Sequence, residues 1–352
     1  MNHIKKKRVI TLLVVLFFSI VSFTTKAEAL SLSPVRFELS ADPGTVIKDE
    51  MVLLNETDTT ETFYASFSNF EAQGESGSPS FLEPTEGLGT WITTQDSITI
   101  QGGQSQIVPF EITVPSNAPA GGNFAAIFWS TSPPVDGSDS VIIGAKTGIL
   151  VLLSVNGDVK VAGGINDFDT LGGQHYFESL PIDFIYHFHN EGGDRIKPDG
   201  NIIIKNMLGL TTLIPANKVE GNVLPNQTRK FEVLWQGKGS HSVSEAQAIS
   251  GFFNKARYEW QNFAIGRYKA TLSLIYGTVT EPVTKSTVLW VFPWHFLLIF
   301  TIVLLLVLFI LRKLIRTYNH WIIKQVEKRM EAQAAKDATI SQKTPNDMGP
   351  RI

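Results

Sequence analysis

Apolar and polar residues alternate with period two through much of this chain. In Thr62–Asn69 the residues Phe63, Ala65 and Phe67 share one face, and in Ile107–Val114 the set is Val108, Phe110, Ile112 and Val114. Ile182–Asn190 repeats the pattern with Ile182, Phe184, Tyr186 and Phe188, as does Arg267–Gly277 with Tyr268, Ala270, Leu272, Leu274 and Tyr276. Successive side chains of a strand point to opposite faces, so this alternation predicts half-buried strands. Further strands are predicted over Val35–Leu39, Met51–Asn55, Ser97–Ile100, Gly122–Ser130 and Val141–Val155. In the second half they fall over Gly163–Phe168, Gly200–Ile204, Thr211–Leu213, Arg229–Trp235 and Thr284–Val291. Turn residues punctuate them, as at Asp42-Pro43-Gly44, Gln101-Gly102-Gly103 and Pro115 to Gly122. Short strands with frequent turns predict antiparallel sandwiches. Gly157–Gly164 reads as the junction between two of them. Two segments break the pattern. Glu71–Trp91 reads as a long polar connection, and Gln236–Trp260 as a looser one with a short helix around Val243–Ile249.

The two ends follow different rules. Lys5–Arg8 is basic, Val9–Phe23 is apolar, and Ala27-Glu28-Ala29 places small residues where a signal peptidase needs them. Residues 1–29 therefore read as a secretory signal cleaved between Ala29 and Leu30. From Leu289 to Leu311 the chain has no Asp, Glu, Lys or Arg. At the rise of a helix that run covers about 34 Å, enough for a hydrocarbon core of about 30 Å. Trp290 and Trp294 would sit at the outer headgroups, and Arg312, Lys313 and Arg316 would hold the other end in the cytoplasm. The expected topology is a single-pass type I protein of the cytoplasmic membrane, its ectodomain outside the cell or in the periplasm. The tail 312–352 is basic and continues with a helical stripe of Leu314, Tyr318, Trp321, Ile322 and Val326. Beyond about residue 337 it turns polar and reads as disordered.

Charge divides the ectodomain. Residues 30–158 carry 3 Lys and Arg against 16 Asp and Glu, whereas residues 159–288 carry 13 against 12. An acidic outer domain repels nucleic acid and phosphate-rich polymers, so neither is an expected partner. There is no cysteine, which excludes disulfides, thiolate metal sites and cysteine nucleophiles. The fold must rest on two ordinary cores of about 130 residues each.

Few residues of the chain point to chemistry. His187 and His189 lie two apart on one predicted strand, with Asp183 on the same side, but a polar outer face explains them without a metal. Asp167 and Asp169 near Gly172-Gly173 lack the remaining oxygen ligands of a calcium loop. No nucleophile elbow, zinc-protease, P-loop or dinucleotide motif occurs. Acidic residues are numerous enough to supply a carboxylate pair for sugar hydrolysis, but Trp91 and Trp129 read as core aromatics before sugar platforms. No catalytic residue, metal ligand or cofactor is expected.

Residues 34–55 (PVRFELSADPGTVIKDEMVLLN), Phe63–Phe70 and VPFEITVPSNAPAGGNFAAIFWS at 108–130 resemble the first ectodomain of WxL-interacting proteins of Gram-positive cell surfaces. PIDFIYHFHNEGGDRIKPDGNIIIKN (181–206), VLPNQTRKFEVLW (223–235) and GRYKATLSLIYG (266–277) resemble the membrane-proximal domain of the same family. The resemblance implies an all-β chain. Two tandem immunoglobulin-like antiparallel β-sandwiches, 30–158 and 159–288, would precede a transmembrane helix over 289–311. It also implies cell-wall polymer (peptidoglycan) as a ligand for the first domain and a protein partner for the second. The expected function is a non-enzymatic adhesin or scaffold that binds wall polymer, surface proteins or both. The alternative is a membrane-anchored, chaperone-like assembly factor for surface proteins, and a wall-modifying hydrolase comes last.

Overall fold

The structure is a computed structural model that describes residues 30–133, 146–237 and 249–342. Leu30 opens the first strand, while Ala29 and the rest of the expected signal lie outside the described residues. So do residues 141–145 of the predicted strand Val141–Val155 and most of the predicted helix Val243–Ile249.

The first sandwich is built from β1 (Leu30–Ser33), β2 (Arg36–Ala41), β3 (Val46–Asn55), β4 (Glu61–Gln73) and β5 (Ser78–Leu82). A one-turn helix α1 (Leu88–Trp91) leads into β6 (Ile92–Thr94), β7 (Ser97–Ile100), β8 (Ser105–Thr113), β9 (Gly121–Ser130) and β10 (Lys146–Val155). One sheet has the order β1-β3-β8-β6 and the other β2-β10-β9-β4-β5, with β7 also on β4. The chain switches sheets between β1 and β2. β1 pairs antiparallel with β3, whereas β2 pairs parallel with β10, so one short segment closes an edge of each sheet. The predicted alternation is what fills the core: Met51, Leu53, Val108, Ile112, Ile127 and Trp129 are all fully buried.

The second sandwich comprises β11 (Gly163–Thr170), β12 (Tyr176–Phe177), β13 (Ile182–Asn190), β14 (Asp199–Asn206), β15 (Thr211–Pro215) and β16 (Thr228–Trp235). A helix α2 (Phe252–Gln261), β17 (Gly266–Tyr276) and β18 (Val279–Val291) complete it. Its sheets run β11-β13-β16 and β12-β18-β17-β14-β15. Aromatic stacking organises this core: Phe168 on Phe184 at 5.6 Å, Phe184 on Trp235 at 6.5 Å, and Tyr186 on Phe231 at 4.8 Å. Each such pair adds about 0.5–1.5 kcal/mol beyond burial of its area.

Both sandwiches use the same clamp. Asn55 ends β3 and Asn190 ends β13, and both are fully buried. Asn55 accepts from the Thr57 N–H and donates to the Thr59 and Ile100 carbonyls. Asn190 accepts from the Gly192 N–H and donates to the Asp194 and Val223 carbonyls. One amide side chain thus satisfies a tight turn and stitches it to a strand from elsewhere.

A long helix α3 (Trp294–Gln342) follows. It is the one helix among the described residues that is long and apolar enough to cross a membrane. Its start corrects the expected span of 289–311. Leu289 and Val291 are core residues of the second sandwich, exposed by 0% and 1%, and Trp290 lies on β18 opposite Arg267. Proline has no N–H for a strand ladder but is tolerated at a helix start, so the strand ends before Pro293 and the helix begins after it. The helix then runs on to Gln342, past the point where the polar composition suggested disorder.

One other expectation changes. Glu71–Trp91 is not an open connection: β4 continues to Gln73, turns, and pairs back through β5. Phe70 and Phe81 hold this hairpin at a centroid distance of 6.1 Å. Among the described residues, the looser segment holds the helix α2 at 252–261. It buries only Ala256, Tyr258 and Glu259, too few for a clear apolar stripe.

Candidate functional site

The two sandwiches meet through a mixed polar and apolar junction. Arg36 and Glu38 on β2 face the loop before β14 and the loop before β16. Glu38 accepts from Arg36 at 2.9 Å, from Lys197 at 3.3 Å and from the Asn222 amide at 2.9 Å. Lys197 also reaches Glu220 at 3.2 Å. Nearby, Arg195 donates to Ser154 at 2.6 Å, and the Gly122 N–H donates to the Gly193 carbonyl at 3.0 Å. Glu38, Ser154, Arg195, Lys197 and Asn222 border a cleft of about 280 Å³. Beneath them Phe70, Leu152 and Leu224 form a small shared core. Arg229 of β16 lies so close to Gly77 and Gly221 that a Cβ at either would come within 2.8 Å of its guanidinium. A side chain at either position would push the guanidinium aside, and at Gly77 the backbone also has a positive φ of 71° that favours glycine.

Burial alone would raise the Glu38 carboxyl above its ordinary value of 4.5. The Asn222 hydrogen bond and the charges of Arg36 and Lys197 outweigh it and hold the group below that value. Stabilisation of the junction by Glu38 is therefore complete above pH 4.5 and is lost as pH falls through the lowered folded value. The pair is partly exposed, so the effect is modest. Acidification below that point should widen the angle between the sandwiches, read as a broader pair-distance distribution in X-ray scattering. Glu38→Gln should remove that pH dependence.

A second site lies at the start of α3. Glu259 of α2 is 2% exposed and His295 of α3 is 4% exposed. One Glu259 oxygen sits 2.5 Å from His295 Nδ1, and the other accepts from the Phe296 N–H at 2.7 Å. Trp294 stacks on His295 at 3.7 Å and donates through Nε1 to Glu178. A carboxylate at a helix N-terminus satisfies an otherwise unpaired N–H and opposes the positive end of the dipole. Glu178 and Glu259 also flank a groove of about 460 Å³, with Gln174, Tyr176, Asp183 and Lys255. Burial raises the Asp183 carboxyl above its ordinary value, and the Glu232 charge adds to the effect.

Glu178, Glu259 and His295 bring ligand atoms within 4.8 Å of one another, a set that could approach a divalent cation. A separation of 2.5 Å between the Glu259 oxygen and the imidazole nitrogen is a hydrogen bond and is too short for two ligands flanking one metal. The arrangement is a latch between α2 and α3.

The residues singled out for chemistry go to separate tasks. His187 and His189 do share the outer face of β13. His187 engages Asp167 at 2.7 Å and Glu75 of the first sandwich at 3.4 Å, whereas His189 pairs with Thr228 at 2.9 Å. Asp167 and Asp169 lie on strand β11 and not in a loop, and Asp169 accepts from Thr287. Trp129 is fully buried and Trp91 packs against the same core. Of the expected headgroup anchors, Trp294 opens α3 and Trp290 lies on β18, one residue before its end; Arg312, Lys313 and Arg316 lie exposed on α3. The latch was missed because its partners stand 36 residues apart. The one signal for it is a histidine inside an otherwise uncharged apolar run.

No protein-family model and no curated protein matches this sequence. Among solved structures, the class 5 fimbrial chaperone CfaA aligns over 74% of this chain and 99% of its own, at 7% identity and a TM-score of 0.36. The E. coli chaperone DraB aligns over 73% of this chain and 98% of its own, at 12% identity and a TM-score of 0.31. A chain of the Salmonella enterica SafA pilin–SafB chaperone complex aligns over 75% of this chain and 99% of its own, at 9% identity and a TM-score of 0.31. Likeness at these levels speaks to neither activity nor partner.

Proposed function

We propose that this chain is a non-enzymatic surface protein that binds other surface proteins and assists their assembly. α3 holds it in the cytoplasmic membrane as a type I span, with residues 30–291 outside. The observation that carries the reading is a pair of edge strands, β15 and β5, that expose apolar side chains. Among the described residues β15 is an edge strand paired with β14 alone, and Leu213 on it is 62% exposed. β5 is the matching edge strand of the first sandwich, with Phe81 40% and Leu82 48% exposed. An edge strand offers unpaired N–H and C=O groups to an extended partner segment, and exposed apolar side chains beside it supply grip. The junction and the latch fix those edges relative to the membrane.

Adhesion or scaffolding is the second reading. Cell-wall polymer would then be the ligand of residues 30–158, as the resemblance to WxL-interacting proteins implies. The acidic charge of that sandwich favours uncharged or basic ligands over phosphate-rich ones.

The full chain in lipid nanodiscs can be incubated with purified wall and with surface-protein extract. Saturable retention of a surface protein is expected, with no sugar or peptide fragments released from the wall. Retention of neither material, or release of fragments, contradicts the proposal.

A further inference from the structure

The second sandwich ends directly on the helix. Val291 is the last core residue of β18, and α3 begins at Trp294. From Trp294 to Leu311, before the first charge at Arg312, the helix covers about 27 Å, slightly less than a hydrocarbon core of about 30 Å. No length is left over for a stalk. The first turn of α3 must therefore enter the bilayer, and the end of the sandwich must rest on it.

That end is apolar where it is exposed. β14 runs antiparallel to β17, with Asn206 opposite Tyr268, so the β14–β15 turn lies at the end of the sheet where β18 meets α3. The turn is Met207-Leu208-Gly209-Leu210, and its Met207, Leu208 and Leu210 are exposed by 65%, 80% and 67%. A Cβ on Gly266, the first residue of β17, would lie 2.9 Å from Met207 Cε, so the turn reaches the neighbourhood of α2. On the other side of that end, Trp260 and Phe263 stand 5.0 and 5.8 Å from Phe296 in the first turn of α3. They are exposed by 63% and 47%. Single exposed apolar residues are ordinary, but a turn and a helix end exposing them at the level of a span are not.

The charges agree. Lys205, Arg257, Arg267 and Lys269 are exposed on the same elements. Across residues 200–214 and 251–273 the only carboxylate is Glu259, which is buried in the latch. Apolar tips ringed by cations match the interface of an anionic bilayer.

We propose that the 207–210 turn and the Trp260/Phe263 end of α2 form a lipid-docking surface that seats the second sandwich on the outer leaflet, fixing its tilt about α3. The proposal rests on reading α3 as a membrane span. Seated in this way, the ectodomain presents the β5 and β15 edges at a set height and direction instead of swinging on a tether.

The chain lacks cysteine, so single cysteines carrying an environment-sensitive fluorophore report one position each. Full-length Leu208→Cys, Phe263→Cys, Leu304→Cys and Thr278→Cys would be reconstituted into phosphatidylcholine–phosphatidylglycerol vesicles doped with spin-labelled lipid. Thr278 sits at the far end of the sheet, in the β17–β18 turn, and Leu304 in the middle of the span. Expected are deep quenching at 304, shallow quenching at 208 and 263 several-fold above that at 278, and weaker shallow quenching without phosphatidylglycerol. Quenching at 304 with 208 and 263 no different from 278 overturns the docking surface alone. Absence of quenching at 304 overturns the span and the docking surface together. A blue-shifted 208 reporter that lipid-borne labels do not quench means that protein, from a second copy or a partner, covers the turn, and this too overturns the proposal. Leu208→Asp with Leu210→Asp alters only exposed side chains of a turn. It should keep the circular dichroism of the parent and lose the quenching at 263.

Discussion

Replacing Glu259 by alanine should destabilise the second sandwich by roughly 3 kcal/mol. Glu259 is almost fully buried, and each of its oxygens has a partner, His295 Nδ1 at 2.5 Å and the Phe296 N–H at 2.7 Å. Truncation leaves a largely buried helix N-terminal N–H without a partner and leaves the imidazole only Glu178, 4.0 Å away. Leaving such groups unsatisfied costs more than the net value of the bonds themselves. The loss of the carboxylate also removes a favourable charge from the positive end of the α3 dipole. For a domain of this size the melting midpoint should fall on the order of 10 °C. Glu259→Gln keeps an acceptor for the Phe296 N–H and should recover part of the loss. Calorimetry of the detergent-solubilised full chain checks both variants. An unshifted transition for Glu259→Ala would show that the latch does not tie α2 to α3.

Asn190→Ala is expected to cost about as much, roughly 3 kcal/mol, by a different route. The side chain bonds the Gly192 N–H at 2.8 Å, the Asp194 carbonyl at 2.7 Å and the Val223 carbonyl at 2.8 Å. Alanine orphans the Gly192 N–H and the Asp194 carbonyl and takes from the Val223 carbonyl one of its two donors, the Ile196 N–H at 2.9 Å remaining, so the turn after β13 is held to the segment before β16 by fewer bonds. Asn190→Asp separates the two halves of the clamp: it keeps the acceptor and loses both donors, so it should be no less harmful. Asn55→Ala should do the same to the first sandwich. Denaturant unfolding followed by tryptophan fluorescence distinguishes them, because Trp91 and Trp129 report the first core and Trp235 the second. Each alanine should unfold its own sandwich at lower denaturant. Equal shifts of both sandwiches from either variant would mean that the two unfold as one unit and not as two.

Much of this architecture was legible because it rests on a local pattern. Ser97–Ile100 and Ile182–Asn190 appear with the predicted ends, since each is a clean two-residue repeat between turn residues. Features that depend on distant partners were not legible. The β4–β5 hairpin is held by Phe70 and Phe81 among glycines and serines, too sparse to show a period. The end of β18 was read as membrane because Leu289 and Val291 are as apolar as lipid-facing residues, although they face a protein core. The junction joins Glu38 to Lys197 and Asn222, 159 and 184 residues away, and no local motif encodes such pairings. The histidines drew attention by their spacing, yet His187 serves a contact between sandwiches and His189 a bond to a neighbouring strand.

In the proposed assembly role, the docking surface and the latch would both serve one end, holding an exposed strand edge at a defined place above the membrane. Deleting the gene and quantifying the surface proteome by mass spectrometry, with the wild-type chain restored in parallel, tests that purpose most directly. The expected result is the loss of one or a few surface proteins while their transcripts persist, reversed by the full chain. A surface proteome unchanged by the deletion would contradict the assembly role.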